Sequence, residues 1–410
     1  METAEIPDAC ADSFKELVKW PKVILFGDSL TQRSFDPNSG LWGTLLANRL
    51  QRICDVVSRG FSGYNSKFCR IILPEMFSTS NVSDIAAFVI LLGSNDSCDK
   101  KVVPKSCQYV SVEDYENNLE AIIKYLQKIG VAKEKIILMS PPPYCDENWI
   151  AFCKQIGRNL PTGERQTSQY ASACINLAKK LHIDYVNIYE EMIKEKRSFD
   201  PYSGMWGTLL ADKLQRICDV VNRGFSGYNS KFCRVILPEI FSTSNVSDIA
   251  AFVILLGSND SCDKKVVPNS CQYVSLEDYE NNLEAIIKYL QKIGVDKEKI
   301  ILMSPPPCCN ENWTKFCQQT GKDSATGERQ TSQYAFACIN LAKKLHIDYV
   351  NIYEEMIKEK DWPDYLIDGL HFNQRGGKFV YDLLWPVIEK KINEKTIFPL
   401  WEEFNEHYPV

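Results

Sequence analysis

Short apolar runs alternate along the chain with longer amphipathic stretches. Five of the runs are bounded by Gly, Pro or polar residues and are short enough to be buried strands. They lie at Lys22–Asp28, Cys54–Gly60, Asp84–Asp96, Glu134–Pro143 and Ile183–Glu191. Apolar strands separated by helices are typical of a parallel sheet with helices on both faces. The pattern therefore predicts an α/β fold.

Helical periodicity is clearest in three segments. Ser111–Gly130 repeats apolar residues on one face, with Gly130 as the expected C-terminal cap. That face consists of Tyr115, Leu119, Ile122, Ile123, Leu126 and Ile129. Thr167–Leu181 predicts a second helix, and Asn373–Ile392 predicts a third that is kinked at Pro386.

Most of the chain is present twice. Residues 33–196 align without a gap to residues 197–360, and the two copies differ at 21 positions, which is about 87% identity. The head, 1–32, and the tail, 361–410, occur once. Either a recent duplication or an error in the gene model explains such similarity. The repeat predicts two tandem domains, 1–196 and 197–410.

Composition narrows the class of protein. The net charge is −6 and no Lys/Arg-rich run is present, so nucleic acid is not an expected partner. No apolar stretch reaches the roughly 18 residues needed to span a bilayer, and the N-terminus lacks the apolar core of a secretory signal. The 16 cysteines mostly recur as repeat pairs. We therefore expect a cytoplasmic protein with reduced cysteines.

Small and polar residues follow three of the predicted strands. They are Gly27-Asp28-Ser29, Arg59-Gly60-Phe61 and Gly93-Ser94-Asn95-Asp96. Ligands of parallel α/β sheets bind beyond the carboxyl ends of the strands, so these three turns point to one site.

Ser29 is the candidate nucleophile, because a hydroxyl at the end of a strand can face solvent. A serine here is equally consistent with a helix N-cap. The candidate oxyanion donors are the Ser29 backbone N–H, the Gly60 N–H and the Asn95 amide. Gly60 could instead be a simple turn residue and Asn95 a strand-end cap. Their repeat equivalents are Gly224 and Asn259.

The chain has four histidines from which to choose a base. His182 and His346 are copies of each other at the entrance to a strand and are interpreted as structural, and His407 is expected to fray at the terminus. His371 follows Asp368 by three residues, a spacing that lets a carboxylate orient the imidazole. The alternative for this pair is a solvated Asp-Gly turn.

Taken in order, these blocks resemble the SGNH (GDSL) hydrolase family. The matching segments are "FGDSLTQ" at Ser29, "RGFSGYNS" at Gly60, "LLGSND" at Asn95 and "DGLH" at Asp368 and His371. Within that family, the sequence around these blocks looks most similar to that of esterases that hydrolyse isoamyl acetate. The resemblance implies a flavodoxin-like three-layer α/β/α fold, no cofactor and no metal. It also implies hydrolysis of small short-chain acyl esters through an acyl-serine intermediate.

The duplication separates these blocks. The first copy has the serine block without Asp-x-x-His, whereas the second has Asp368 and His371 without the serine block. At most one complete site can therefore form per chain, completed by either copy, or between molecules in a swapped homodimer. The second copy also lacks the first strand, so we expect the first copy to be better formed, with Gly60 and Asn95 as the partners of Ser29.

Three functions stay open at this point. The first is a serine esterase with Ser29, His371 and Asp368 as its catalytic residues. The second is a catalytically impaired duplication product or a non-catalytic binding protein. The third, a carbohydrate or thioester hydrolase, would use the same residues.

Overall fold

A computed structural model describes residues 20–36, 41–98, 108–144, 165–194, 206–215, 217–262, 272–320, 328–392, 399 and 403–408. The prediction that the N-terminus is not a secretory signal concerns residues that lie mostly outside this set. The chain divides into two compact units. The first unit comprises Trp20–Pro201, Ala211–Arg223 and Lys395–Val410, and the second comprises Met1–Lys19, Tyr202–Leu210 and Gly224–Glu394. The division into repeat domains 1–196 and 197–410 stays a prediction.

The first unit contains five strands. They are β1 (Lys22–Gly27), β2 (Asp55–Gly60), β3 (Ile85–Leu91), β4 (Ile136–Met139) and β5 (Asp184–Val186). Its helices are α1 (Ser29–Gln32), α2 (Trp42–Arg49), α3 (Ser66–Met76), α4 (Val112–Lys128), α5 (Thr167–Leu181) and α6 (Ile188–Lys194). All pairings are parallel and the order is β2-β1-β3-β4-β5, which is the flavodoxin-like order. This topology confirms the predicted fold class.

Alternation along β1 builds the two faces of this sheet. Ile24 and Phe26 belong to the large core, together with the apolar sides of α3, α4 and α5. Val23 and Leu25 belong to a smaller core on which residues of α2 pack. The predicted face of α4 is buried along its whole length, and Gly130 after its end has a φ of +106°. The sheet is therefore the middle of three layers.

The C-terminal tail contributes to the first unit. Phe404, in helix α14 (Phe404–His407), is fully buried, and its ring stacks on Phe68 with a centroid distance of 4.0 Å. The Tyr64 hydroxyl donates to the Pro399 carbonyl at 2.8 Å. His407 is the last residue of this helix and is exposed, so its fraying stays a prediction.

The second unit contains a smaller sheet. Its described strands are β6 (Phe252–Leu255), β7 (Ile300–Met303) and β8 (Asp348–Val350), parallel and in the order β6-β7-β8. The helices that follow α6 in chain order are α7 (Trp206–Lys213), α8 (Ser230–Ile240), α9 (Leu276–Lys292), α10 (Asn310–Gln319), α11 (Thr331–Leu345), α12 (Ile352–Ile357) and α13 (Gln374–Glu389). Most of α7 lies in this unit and its C-terminal end lies in the first. The first copy contributes four described strands, β2 to β5, and the second copy contributes three, so the first copy is better formed, as predicted.

The second copy of β2 has a different fate from the first. Residues 219–224 repeat the sequence of β2 with one substitution but form no strand. Residues 219–223 lie in the first unit, where Asp219 pairs with Arg59 and Arg223 pairs with Asp55. Both pairs are bidentate, with second contacts of 2.8 Å from Arg59 Nη2 to Asp219 Oδ2 and from Arg223 Nη2 to Asp55 Oδ2. The segment thus runs antiparallel beside β2, at the edge of the sheet.

Removing Arg223 is expected to destabilise the first unit. Burial raises the pKa of Asp55, and the hydrogen bonds and charge of Arg223 oppose that effect. Arg223→Ala leaves the buried carboxylate without its partner and should lower the free energy of unfolding by about 3 kcal/mol. Asp219→Ala, which opens the more exposed pair, should cost at most about 1 kcal/mol. Urea unfolding followed by circular dichroism would measure both, and equal losses would contradict the difference in burial.

Candidate active site

The carboxyl ends of β1, β2 and β3 meet at one edge of the first sheet. Gly27 is in register with Gly60 on one side and with Leu91 on the other. Ser29 starts α1 two residues after Gly27, and Asn95 lies in the turn after β3. The structure therefore brings Ser29, Gly60 and Asn95 to the same edge of the first unit.

Ser29 is held by a tight strand-to-helix turn. Asp28 is the N-cap of α1, and its Oδ1 accepts a hydrogen bond from the Leu30 N–H at 2.9 Å. Ser29 itself is partly exposed while Asp28 is fully buried. The N-cap role therefore belongs to Asp28, which leaves the Ser29 hydroxyl for other work.

Gly60 lies directly against the helix that Ser29 starts. A Cβ built on Gly60 would come within 1.9 Å of the Gln32 backbone nitrogen, so no other residue fits without moving α1. The next residue, Phe61, donates its N–H to the Gly27 carbonyl at 2.9 Å. Gly60 is therefore required for the close approach of β2 to α1 beside the candidate nucleophile.

Asn95 is buried in the turn after β3. Its Nδ2 donates one hydrogen to the Tyr64 carbonyl at 2.8 Å, which fixes the orientation of the amide. An amide nitrogen carries two hydrogens, so a second donor stays on the same atom. Gly93, with a φ of +123°, makes the turn possible, since a Cβ there would be 2.9 Å from Pro141 Cγ.

Two buried carboxyl groups lie at this edge. Asp96 accepts the Ser66 N–H at 3.0 Å, and both Asp28 and Asp96 have no exposed surface. Burial, with a further contribution from the charge of Asp96, raises the pKa of Asp28 to about 7. Burial likewise raises the pKa of Asp96 to about 6, against the hydrogen bonds from Ser66. The turn that holds Ser29 is thus sensitive to pH near neutrality.

Asp28→Asn should stabilise the protein at alkaline pH. A carboxyl group whose folded pKa lies above its unfolded value contributes stability below pH 4, and that contribution is lost as pH rises through about 7. The amide removes the buried charge but can still accept from Leu30. We expect a gain of up to about 4 kcal/mol at pH 8.5 and little change at pH 4. Urea midpoints at the two pH values would measure it, and a pH-independent effect would contradict this assignment.

The second unit repeats part of this framework. Asn259 Nδ2 donates to the Tyr228 carbonyl at 2.7 Å, and Ser230 donates its N–H to the buried Asp260 at 2.9 Å. Gly224, the equivalent of Gly60, follows the segment that forms no strand. The second unit therefore reproduces the asparagine turn but not the paired glycine strand.

Asp368 and His371 form a hydrogen-bonded pair in the second unit. His371 Nδ1 lies 2.7 Å from Asp368 Oδ2, while Asp368 Oδ1 accepts the backbone N–H groups of Leu370 and His371. Burial acts to raise the pKa of Asp368, but the hydrogen bonds from His371 and Leu370 outweigh it and leave the pKa lowered. Asp368 is therefore an ionised acceptor that fixes the proton on Nδ1, so that Nε2 of this 63% exposed side chain can accept a proton.

Aromatic and cationic groups connect this pair to the asparagine turn of the same unit. The Trp313 ring packs edge-on against His371 with a centroid distance of 6.0 Å. Arg329 lies 5.4 Å from the Trp313 centroid and donates a hydrogen bond to the Ser258 carbonyl, next to Asn259. Gly369, with a φ of +92°, lies so close to α10 that a Cβ there would be 2.6 Å from the backbone nitrogen of Trp313. The Asp368–His371 pair and the turn that contains Asn259 therefore belong to one packed region.

The predicted site residues divide between the two units. Ser29, Gly60 and Asn95 belong to the first unit, and Asp368, His371 and Asn259 belong to the second. His182 and His346 end α5 and α11 with positive φ values of 52° and 53°, as C-caps. The catalytic roles stay predictions.

Several residues of the site were not singled out from the sequence. The buried acids Asp28 and Asp96 lie in the polar turns after β1 and β3, but their spacing in the sequence does not indicate that they are buried. Trp313 and Arg329 contact the site from segments far away in sequence. For these two, the only signal was an aromatic and a cationic residue in otherwise polar stretches.

Comparisons with known proteins agree with the two-copy organisation. The pattern that defines the GDSL-like lipase/acylhydrolase family matches residues 25–205 and again 198–379. The isoamyl acetate-hydrolyzing esterase 1 homolog of Rattus norvegicus is 37% identical over 214 residues, which cover 52% of this chain and 85% of that protein. Its Homo sapiens counterpart is 36% identical over 213 residues, which cover 52% and 85%. The crystal structure of a lipase/acylhydrolase from Enterococcus faecalis is similar at 19% identity and a TM-score of 0.32, covering 43% of this chain and 80% of that one.

Within the described ranges, none of the helices is both long enough and apolar enough to cross a bilayer.

Proposed function

The chain belongs to the GDSL-like lipase/acylhydrolase family, whose members hydrolyse carboxylic esters, and on that premise we propose a serine esterase for small short-chain acyl esters, acetates above all. The observation that carries the proposal is the Asp368–His371 pair at 2.7 Å. An ionised, buried carboxylate against Nδ1 is what a general base requires. The acetate preference is supported by the names of the relatives.

The proposed reaction uses the site residues predicted from the sequence. Ser29 Oγ attacks the ester carbonyl carbon while His371 Nε2 takes its proton. The Gly60 and Ser29 N–H groups and the second hydrogen of Asn95 Nδ2 stabilise the oxyanion. The intermediate collapses when His371 returns the proton to the leaving alcohol, which leaves an acyl-serine. Water, deprotonated by His371, then releases the carboxylic acid and restores Ser29.

A substrate series tests the specificity. We expect kcat/KM for p-nitrophenyl acetate to exceed that for p-nitrophenyl octanoate at least tenfold. A shortened chain without residues 197–360, which keeps every proposed catalytic residue, provides the reference activity. A preference for the octanoate would remove the short-chain assignment, and hydrolysis of a thioester or acetylated sugar in preference to both would move the substrate class.

One observation favours a second candidate, a catalytically impaired product of the duplication. The nucleophile and the base lie in different compact units. This candidate predicts that the full-length chain has less than about 1% of the activity of the shortened chain. Comparable activities would exclude it.

The proposal also includes a cytoplasmic location and a homodimer, possible through exchanged segments. All cysteines for which the structure describes a state are free thiols, which suits a reducing compartment. Cell fractionation and sedimentation would test these two points.

A further inference from the structure

The second sheet has an open edge at a strand whose twin is paired. Residues 249–255, which contain β6, have the same sequence as β3. In the first unit β3 lies between β1 and β4. In the second unit β6 pairs with β7 and, among the described residues, has no strand on its other side. Over the residues that the structure describes, the same surface is therefore filled in one unit and open in the other.

The burial of side chains records this difference. Phe88, Val89 and Leu91 of β3 are buried. Their counterparts Phe252, Val253 and Leu255 in β6 are partly exposed. The backbone indicates the same edge. In the first unit the Leu91 carbonyl accepts the Asp28 N–H at 3.4 Å, on the side of β3 where β1 lies. Because backbone direction alternates along a strand, the equivalent residue Leu255 and, two residues earlier, Val253 direct their backbone groups to the open edge of β6. An exposed apolar edge of this kind is a template for another strand.

We propose that the open edge of β6 binds the β1 segment of a second copy of this chain as an added parallel strand. The chain offers two edges of identical sequence but only one β1 segment, and in each chain that segment lies between β2 and β3. To dock on β6 of another molecule, β1 must leave this place, so the docking is an exchange of segments between copies. The register follows from the first unit, where Leu25 pairs with Val89 and Phe26 with Ile90. In the second unit, Leu25 of the incoming strand lies opposite Val253 and Phe26 lies opposite Ile254.

This docking has a catalytic consequence, which rests on the proposed function. The residues after β1 carry Ser29, and the turn after β6 carries Asn259. The second unit also holds Asp368 and His371. A strand added at β6 therefore brings a serine from one molecule into the unit that contains the base of another.

Peptide binding tests the docking without relying on catalysis. The probe is a fluorescent peptide of residues 20–36, titrated into full-length protein carrying Ser29→Ala and followed by anisotropy. We expect saturable binding that weakens at least tenfold when the peptide carries Ile24→Asp and Phe26→Asp. Val253→Pro in the protein, which removes an edge-facing N–H, should weaken binding equally. Absence of saturable binding, or binding indifferent to all these changes, would overturn the proposal.

Photocrosslinking locates the peptide without a folded-state variant. A benzophenone in place of the Phe26 side chain should label β6. The two strands have the same sequence but lie in different tryptic peptides. The peptide that contains β3 starts at Ile71 and the one that contains β6 starts at Val235. These peptides differ at two positions, Ile71 against Val235 and Met76 against Ile240. Label on the peptide from Val235 supports the proposal, and label on the peptide from Ile71 overturns it.

Hydrolysis then separates this proposal from the proposed function. Peptide 20–36 added to the Ser29→Ala protein should restore hydrolysis of p-nitrophenyl acetate, and the same peptide with Ser29→Ala should not. Binding at β6 without hydrolysis keeps the docking site and counts against the pairing of Ser29 with His371. Failure to bind at β6 rejects the docking, while the activity of the unmodified chain still decides the proposed function.

Discussion

Ser29→Ala is expected to reduce kcat for ester hydrolysis by about 10⁴-fold or more, because no second hydroxyl occupies the nucleophile position. The residue at the equivalent position ahead of the second copy is Ile193. The measurement is the initial rate with p-nitrophenyl acetate. The matched control is Ser172→Ala, on the exposed side of α5, where the second copy already carries Phe336. Activity that survives Ser29→Ala would remove the assignment of the nucleophile.

His371→Ala is the second variant with a large expected effect. The loss of the base should lower kcat by about 10⁴-fold, and Asp368→Asn should lower it by a factor approaching the same value because the wrong nitrogen of the imidazole is then protonated. His346→Asn is the control, since asparagine tolerates the left-handed conformation of that C-cap. If the two histidine variants lose equal activity, His371 is not the base.

Mixing the two inactive variants shows where the residues meet. Ser29→Ala protein retains the base, and His371→Ala protein retains the nucleophile. Recovery of hydrolysis in the mixture indicates sites shared between molecules, as the docking of β1 at β6 requires. No recovery, combined with activity in the unmodified chain, places both residues of each site in one chain.

The regular elements of the first unit were largely predictable. The five strands lie inside the five apolar runs, and α4 and α5 lie inside two of the predicted helices. The third predicted helix contains α13 of the second unit. Their ends are marked by residues with a local effect, such as Gly130 with its positive φ. A helix opening at Ser29 was expected and α1 begins there, but its length was not predictable because four residues carry no periodicity. The family resemblance is also confirmed by the two matches of the family pattern.

The second copy shows why local sequence was not sufficient. Residues 55–60 form β2, and residues 219–224, which differ from them only in having Asn222 for Ser58, form no strand. A strand needs a neighbour, and the neighbour of β2 is β1, which the duplication did not copy. The loss could be read from the sequence, but the ion pairs that Asp219 and Arg223 make instead could not.

Part of the candidate site was predictable from the order of the strands and from local spacing. Ser29, Gly60 and Asn95 converge because they follow parallel strands, and Asp368 contacts His371 because they are three residues apart. The raised pKa of Asp28 comes from burial by the whole first unit, which no short motif encodes. Nor does the spacing of blocks in the chain reveal which unit each residue joins.

The most direct test of the account is the rate at which a fluorophosphonate labels Ser29 in the full-length chain with and without His371. Labelled protein digested with trypsin reports on the peptide from Val23 to Arg33. We predict rapid labelling of this peptide in the unmodified chain and labelling at least about 10³-fold slower in His371→Ala. Labelling at equal rates in both proteins, or none in either, would contradict the claim that this serine and this histidine work in one reaction.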